Sequence, residues 1–167
     1  GSPLSEEPGL GPLTLPGYLR EVSRRHATRE ALVFHHAGGR VERWSYGELW
    51  DRANAVARAL VACGVDKGTR VGVMMTNRPE WLAAFFGVGL AGGVAATIST
   101  FSPAAELEVL LKASGVSVLL LEGQVLKKDF TIILRELEPA IDASRPGALA
   151  STRFPFLKRV AVVGADA

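Results

Sequence analysis

Residues Gly87-Val88-Gly89-Leu90-Ala91-Gly92 reproduce the G-x-G-x-x-G spacing with which a glycine turn brings a dinucleotide pyrophosphate to a helix N-terminus. That chemistry requires a strand before the glycines and a helix after them, so that the helix amides point at the phosphates. Here the order is reversed. The apolar residues Trp81 to Phe86 read as a helix running into the glycines, and the β-branched run Val94 to Ile98 follows as a strand. Glu106 stands near the offset of an acidic ribose ligand but on the far side of that strand. The glycines are therefore expected to let a helix end pack tightly on the sheet and turn out of it.

The remaining reactive residue types form no catalytic constellation. His35 and His36 are adjacent on an expected strand, so their rings point to opposite faces and cannot chelate one metal; with His26 they are expected to be exposed. Cys63, the single cysteine, ends an amphipathic helix and is expected to be a small buried thiol. Glu6 and Glu7 fall in the N-terminal arm, Glu48 and Glu80 are expected at helix caps, and Glu106 and Glu108 do not share a helix face. Neither a G-x-S-x-G elbow nor a G-x-x-x-x-G-K-[ST] phosphate loop occurs. No catalytic, cofactor-binding or metal-ligating residue is assigned. Arg20, Arg24, Arg25 and Arg29 make a basic face that reads as solvated, with peripheral contact to anionic lipid or a partner as the alternative.

The elements that must position these residues follow from patterning. The 167 residues are 48% hydrophobic and 22% charged, with 19 Lys+Arg against 17 Asp+Glu. That balance excludes a disordered tail, and a net charge of +2 is too small and dispersed for nucleic acid. One cysteine excludes a disulfide scaffold. The 25 uncharged residues from Trp81 to Ala105 are long enough to cross a bilayer, but Gly92-Gly93 divide them and no Lys/Arg cluster flanks them, so a buried helix and a buried strand are expected. Gly1-Ser2 reads as a protease scar, and residues 1–13, with three prolines and three glycines, read as a flexible arm. Residues 14–167 are expected to be one soluble, cytoplasmic domain.

Thr14 and Pro16 open a first helix, with Leu15, Leu19 and Val22 on its inner face. Ala31 to His35 and Val41 to Trp44 flank Gly38-Gly39 as a hairpin. Ser45 and Glu48 form a capping box for a helix that carries Leu49, Ala53, Val56, Ala57 and Leu60 inward, Arg52 and Arg58 outward, and ends at Gly64. Then one unit repeats: strand Arg70 to Met75, a helix capped by Asn77 and Pro79, strand Val94 to Ile98, helix Ala104 to Ala113 capped by Ser102-Pro103, and strand Val116 to Leu121. Continuous apolar strands alternating with helices predict a Rossmann-like α/β fold, a parallel sheet with flanking helices. Leu126 to Leu137 is expected to be helical, Asp142 to Thr152 a surface loop, and Val160 to Val163 a last strand.

The run from Trp44 to Leu121 resembles the adenylate-forming superfamily, and within it the acyl-CoA synthetases. Trp44-Ser45-Tyr46-Gly47-Glu48-Leu49 matches that family's aromatic-Thr/Ser-Tyr-x-Glu-Leu start. Gly64-Val65-Asp66-Lys67-Gly68-Thr69-Arg70-Val71 matches its glycine turn, and Asn77 to Trp81 its Asn-x-x-Glu-Trp. The similarity is good from Thr14 to Leu121 and loose over the last 46 residues. The resemblance implies the N-terminal subdomain of a two-step ligase. A carboxylate attacks the α-phosphate of Mg·ATP, pyrophosphate leaves, and the CoA thiol then takes the acyl group from AMP. It also implies that the phosphate loop and the catalytic lysine lie C-terminal to the matched positions, so the chain would be inert alone. Thr97 to Pro103 departs from the family's Val-Pro-Leu-Asn-Pro; fatty or other apolar acids are the expected substrates. The expected partner is the C-terminal remainder of the ligase, and self-association is expected where that remainder leaves surface bare. Two other readings stay open. One is a small-ligand module using the sheet edge near Thr76-Asn77 and Ser99-Thr100. The other is a membrane- or protein-docking domain using the arginine face and Trp81 to Phe86.

Overall fold

The computed structural model describes residues 14–145 and 147–163. The expected arm and scar, residues 1–13, lie outside them. The first described elements form a cap of helices and a hairpin. Thr14 accepts the Gly17 amide at 3.1 Å and starts helix α1, Leu15–Arg25. Strands β1, Glu30–His35, and β2, Val41–Ser45, pair antiparallel across the Gly38-Gly39 turn. Helix α2, Tyr46–Ala62, begins at the expected capping box: Ser45 Oγ accepts the Glu48 amide at 3.2 Å, and Glu48 accepts the Ser45 amide at 2.7 Å. Each bond satisfies an amide that the helix itself leaves unpaired. Leu15 and Tyr18 of α1 are exposed, whereas Leu19 is buried with Trp44, Leu49 and Ala53.

The second part is the expected parallel sheet. Strands β3 (Arg70–Met74), β4 (Val94–Thr97) and β5 (Val118–Glu122) are joined through helices α3 (Pro79–Leu90) and α4 (Ala104–Ser114). Gly115, at φ 60°, ends α4 in the left-handed conformation that glycine adopts without strain. Next come a short hairpin of β6 (Gln124–Val125) and β7 (Lys128–Asp129), helices α5 (Phe130–Leu137) and α6 (Ala140–Ala143), and strand β8, Arg159–Val163. The order is β4-β3-β5-β8, with every pairing parallel. Alternate residues of a strand face opposite ways. Val71, Val73 and Val118 pack against Leu60 of α2 and Ala84 and Val88 of α3. Met74, Leu119 and Leu121 pack against Leu107 and Leu111 of α4 and Phe130 and Leu134 of α5.

Several local expectations are corrected. The predicted helix from Leu126 begins only at Phe130, because the chain first makes the β6–β7 turn with Leu126 at φ 54°, a value no helix accommodates. Asp129 Oδ1 then caps α5 by accepting the amides of Thr131 at 2.9 Å and Ile132 at 3.1 Å. Asn77 does not cap α3; Arg78 holds that position without a side-chain bond. Ser102 likewise yields the α4 cap position to Pro103. Cys63 is exposed, since it lies past the last helical residue and contributes only its amide, to Ala59. The stretch expected as a surface loop opens on the last two residues of α6 and buries Leu149 in the α4–α5 core and Ser151 against Glu138. The uncharged 81–105 run divides into α3 and β4, and among the described residues no helix is long and apolar enough to cross a membrane.

Candidate functional site

In an open parallel sheet, ligands bind beyond the carboxyl ends of the strands, where successive crossovers depart to opposite faces. That point lies between β3 and β5: after β3 the chain passes to α3 on one face, and after β5 it reaches α5 on the other. A hollow of about 470 Å³ opens there, lined by Arg78, Glu122, Gly123, Gln124, Asp129 and Thr131. Glu122 is the last residue of the apolar strand β5. Its Oε2 accepts from the amide and hydroxyl of Thr76, at 2.8 and 2.7 Å, and its Oε1 lies 3.0 Å from Arg78 Nη1. Arg78 also donates from Nε to Glu80 at 2.8 Å. One guanidinium thus joins the start of α3 to the end of β5.

The electrostatics follow from this chain of charges. Hydrogen bonding to Arg78 holds the Glu80 carboxyl below its ordinary range, and the bonds to Glu80, then the charge of Glu122, raise Arg78 further. Asp129 is pulled down to about 2 by the Thr131 hydroxyl and by the amides that its carboxylate accepts. Beside it, the Lys128 ammonium donates to three successive carbonyls, Thr100 at 3.3 Å, Phe101 at 2.7 Å and Ser102 at 3.1 Å, and so fastens the loop after β4 to the β6–β7 hairpin.

The residues singled out in the sequence divide. Thr76 belongs to the cluster, while Asn77 is exposed beside it. Ser99 and Thr100 lie in the loop held by Lys128. Glu80 serves Arg78 rather than a cap. Arg78, Glu122 and Lys128 were missed. The available signal was a carboxylate closing the apolar run Val118 to Leu121, where such a sheet places its polar residues. The glycines of the 87–92 run have their close neighbours elsewhere: a Cβ on Gly87 would meet Val56 Cβ at 2.7 Å and the Ala53 carbonyl at 3.0 Å in α2, one on Gly89 the Pro16 ring, and one on Gly92 the backbone of Lys67. His36 is not free, since it bonds Glu42 at 2.8 Å; His35 is exposed as expected. Arg52 is exposed, as expected, and its guanidinium lies 4.2 Å over the Trp44 ring. Arg24 and Arg25 face Glu21 at 3.7 and 2.8 Å, and the Trp81 to Phe86 segment is half-buried or buried against α2 and the sheet.

These groups do not make a triphosphate site. The one guanidinium in the hollow is already matched by two carboxylates, and Asp129 adds a further negative charge, so the field there opposes a polyphosphate. Among the described residues no group of three or more His, Cys, Asp or Glu could hold a metal ion.

Parallel strands, helices on both faces and polar side chains gathered beyond the strand ends define a Rossmann-like α/β unit. More narrowly, the chain belongs to the family of AMP-binding enzymes, whose model matches residues 19–155. It is 30% identical over 147 residues to the mitochondrial medium-chain acyl-CoA ligase ACSF2 of Bos taurus, covering 88% of this chain and 23% of that one. It is 30% identical over 127 residues to the acyl-CoA ligase sidI of Aspergillus fumigatus, covering 76% and 21%. The N-terminal domain of FACL13 from Mycobacterium tuberculosis superimposes with a TM-score of 0.67 at 26% identity, covering 89% of this chain and 33% of that one. The chain spans about a quarter of the length of the curated relatives it matches.

Proposed function

We propose that residues 14–167 are the truncated first α/β subdomain of a cytoplasmic, ATP-dependent acid–CoA ligase whose substrate is a fatty or similarly apolar carboxylic acid. In the whole ligase the acid would be activated as an acyl-adenylate and passed to CoA, with ATP, Mg and CoA held outside this chain. One observation carries the reading. The crevice at the strand ends, where such a fold takes its nucleotide, is lined by the Thr76–Glu122–Arg78–Glu80 chain, whose charges already face one another. A unit of this kind frames a site and leaves the phosphate chemistry to other segments. The chain alone is therefore inert.

The test is acid-dependent exchange of labelled pyrophosphate into ATP, run with octanoate, dodecanoate and hexadecanoate. The whole ligase is expected to exchange and this chain to give background only. Exchange by this chain would overturn the inert-scaffold reading; none by the whole protein would overturn the ligase. Two finer expectations go with it. Isolated, the chain has apolar surface through which to self-associate, measurable by sedimentation velocity. Contact with anionic vesicles would rest on Arg20 and Arg29 more than on Arg24 and Arg25, which face Glu21.

A further inference from the structure

A second hollow lies elsewhere in the fold. It lies between α2 and β8, on the face opposite α4 and α5, and measures about 670 Å³. Leu60, Val118, Leu120, Ala161 and Val163 floor it. The strand β8 shows why it is open. Val160 packs into the α4–α5 core, while Ala161 and Val163, paired beside Leu120 and Glu122, border the hollow, and among the described residues no helix lies over them between α2 and β8. A strand in a parallel sheet is ordinarily covered on both faces.

The rim carries a second signal. Arg52, Arg145, Lys158 and Arg159 stand around this apolar floor, against one carboxylate, Glu80, which already serves Arg78. Among the described residues none of the four cations is in an ion pair. Arg52 rests on Trp44, and the Lys158 ammonium donates to the Pro155 carbonyl at 3.0 Å. Arg159 opens β8 beside Val118, and Arg52 stands on α2 well before Cys63, at the other end of the hollow. At 1.5 Å per residue, Arg52 and Cys63 are about 16 Å apart along α2, or about three turns.

A helix laid beside α2 at the usual spacing of about 8–10 Å would cover β8. Covering it with a second copy of the same face would set one rim of cations against another, which disfavours that arrangement. We propose that in the whole ligase this hollow seats a helix of the remaining polypeptide, about three turns or more in length, apolar toward the sheet and carrying carboxylates where it meets Arg52 at one end and Arg145, Lys158 and Arg159 at the other. This assignment rests on the ligase reading. The floor supplies the affinity, and the cations fix which end of the helix lies where.

The experiment uses the whole ligase and this chain side by side. Hydrogen exchange in peptides spanning 159–163 is expected to be at least tenfold slower in the whole protein. Zero-length carbodiimide coupling, which joins an amine to a carboxylate in contact with it, is expected to link Lys158 to an Asp or Glu outside residues 1–167. Lys158→Arg is expected to abolish that link while leaving exchange unchanged. Equal exchange in the two proteins overturns the proposal, as does protection of β8 with no link from Lys158 to such a carboxylate. A link from Lys158 to a second copy within the whole ligase also overturns it. Failure of the ligase reading shows separately, as a whole protein that protects β8 and couples Lys158 yet exchanges no pyrophosphate.

Discussion

Replacing Gly87 by alanine separates two accounts of the 87–92 glycines. Gly87 is buried on α3 against α2, and a Cβ there would stand 2.7 Å from both Val56 Cβ and Cγ1 and 3.0 Å from the Ala53 carbonyl oxygen. Two of these atoms belong to, or sit directly on, the backbone of α2, so no side-chain rotation relieves the overlap and the helices must part. Overpacking of this kind costs about 1–3 kcal/mol. Alanine recovers up to about 1 kcal/mol of helix propensity over glycine. With three contacts at 2.7, 2.7 and 3.0 Å the cost falls in the upper part of that range, about 2–3 kcal/mol, so the expected net loss is about 1–2 kcal/mol, which for a domain of this size lowers Tm by about 2–8 °C. Gly89 is the internal control: its Cβ would meet only the Pro16 ring, at 3.2 and 3.4 Å, so strain and propensity nearly cancel and the change stays within about 0.5 kcal/mol. Gly92 sits at φ 80°, where an alanine costs about 1–2 kcal/mol without any helix gain. Thermal and urea unfolding of the three variants, followed by circular dichroism, gives the order directly. A dinucleotide loop would instead lose nucleotide affinity in all three, with stability unrelated to these distances. Gly87→Ala as stable as the parent, with Gly89→Ala the most damaged, would refute the packing argument.

Three further outcomes are expected. Glu122→Gln removes the charge that faces Arg78 and weakens the acceptor for Thr76, so urea unfolding should register a loss of about 1–2 kcal/mol, limited because Arg78 keeps Glu80; no change would mean the cluster does not hold β3 to β5. Leu126→Asn should raise stability by about 0.5–1 kcal/mol, because Leu126 is 92% exposed, contributes little burial, and occupies a left-handed conformation that asparagine tolerates better. The carboxyls of Glu42, Glu48, Glu80 and Glu108 are held low, chiefly by hydrogen bonds from His36, Ser45, Arg78 and Lys112 respectively, and Asp129 is held at about 2. A carboxyl lowered on folding stabilises the fold when ionised, so that contribution is complete above the unfolded value of about 4–4.5 and is lost as pH falls through the folded one. The urea midpoint should thus be level near neutrality and fall below about pH 4.5, and Asp129→Asn should flatten its last part, between about pH 4 and 2. A midpoint that rises on acidification would contradict the assignment.

The α/β class, the alternation of strands and helices along the chain and most helix limits were legible because each rests on signals a few residues apart. Ser45 and Glu48 specify α2 within one turn, and Gly115 ends α4 at the position its freedom at positive φ dictates. The misread segments have stronger competitors nearby or far away. Leu126 to Leu137 has helical composition throughout, yet Asp129 offers its carboxylate to two amides ahead of it, which starts the helix late and leaves the preceding residues to the β6–β7 turn. Asn77 has the right side chain for a cap and loses the position to Arg78, next to Pro79. The site was hardest to read for the same physical reason. Glu122 finds Thr76, 46 residues away, only because β3 and β5 become neighbours when the chain crosses from β4 back over β3. No local pattern contains that adjacency, although the rule for strand ends indicates where it must appear. The four cations around the α2–β8 hollow, none of them in an ion pair among the described residues, are a subtler case still. Each reads in the sequence as an ordinary solvated charge, and only the fold places Arg52 of α2 and Arg159 of β8 around one apolar floor, where their lack of carboxylates becomes a statement about what should cover it.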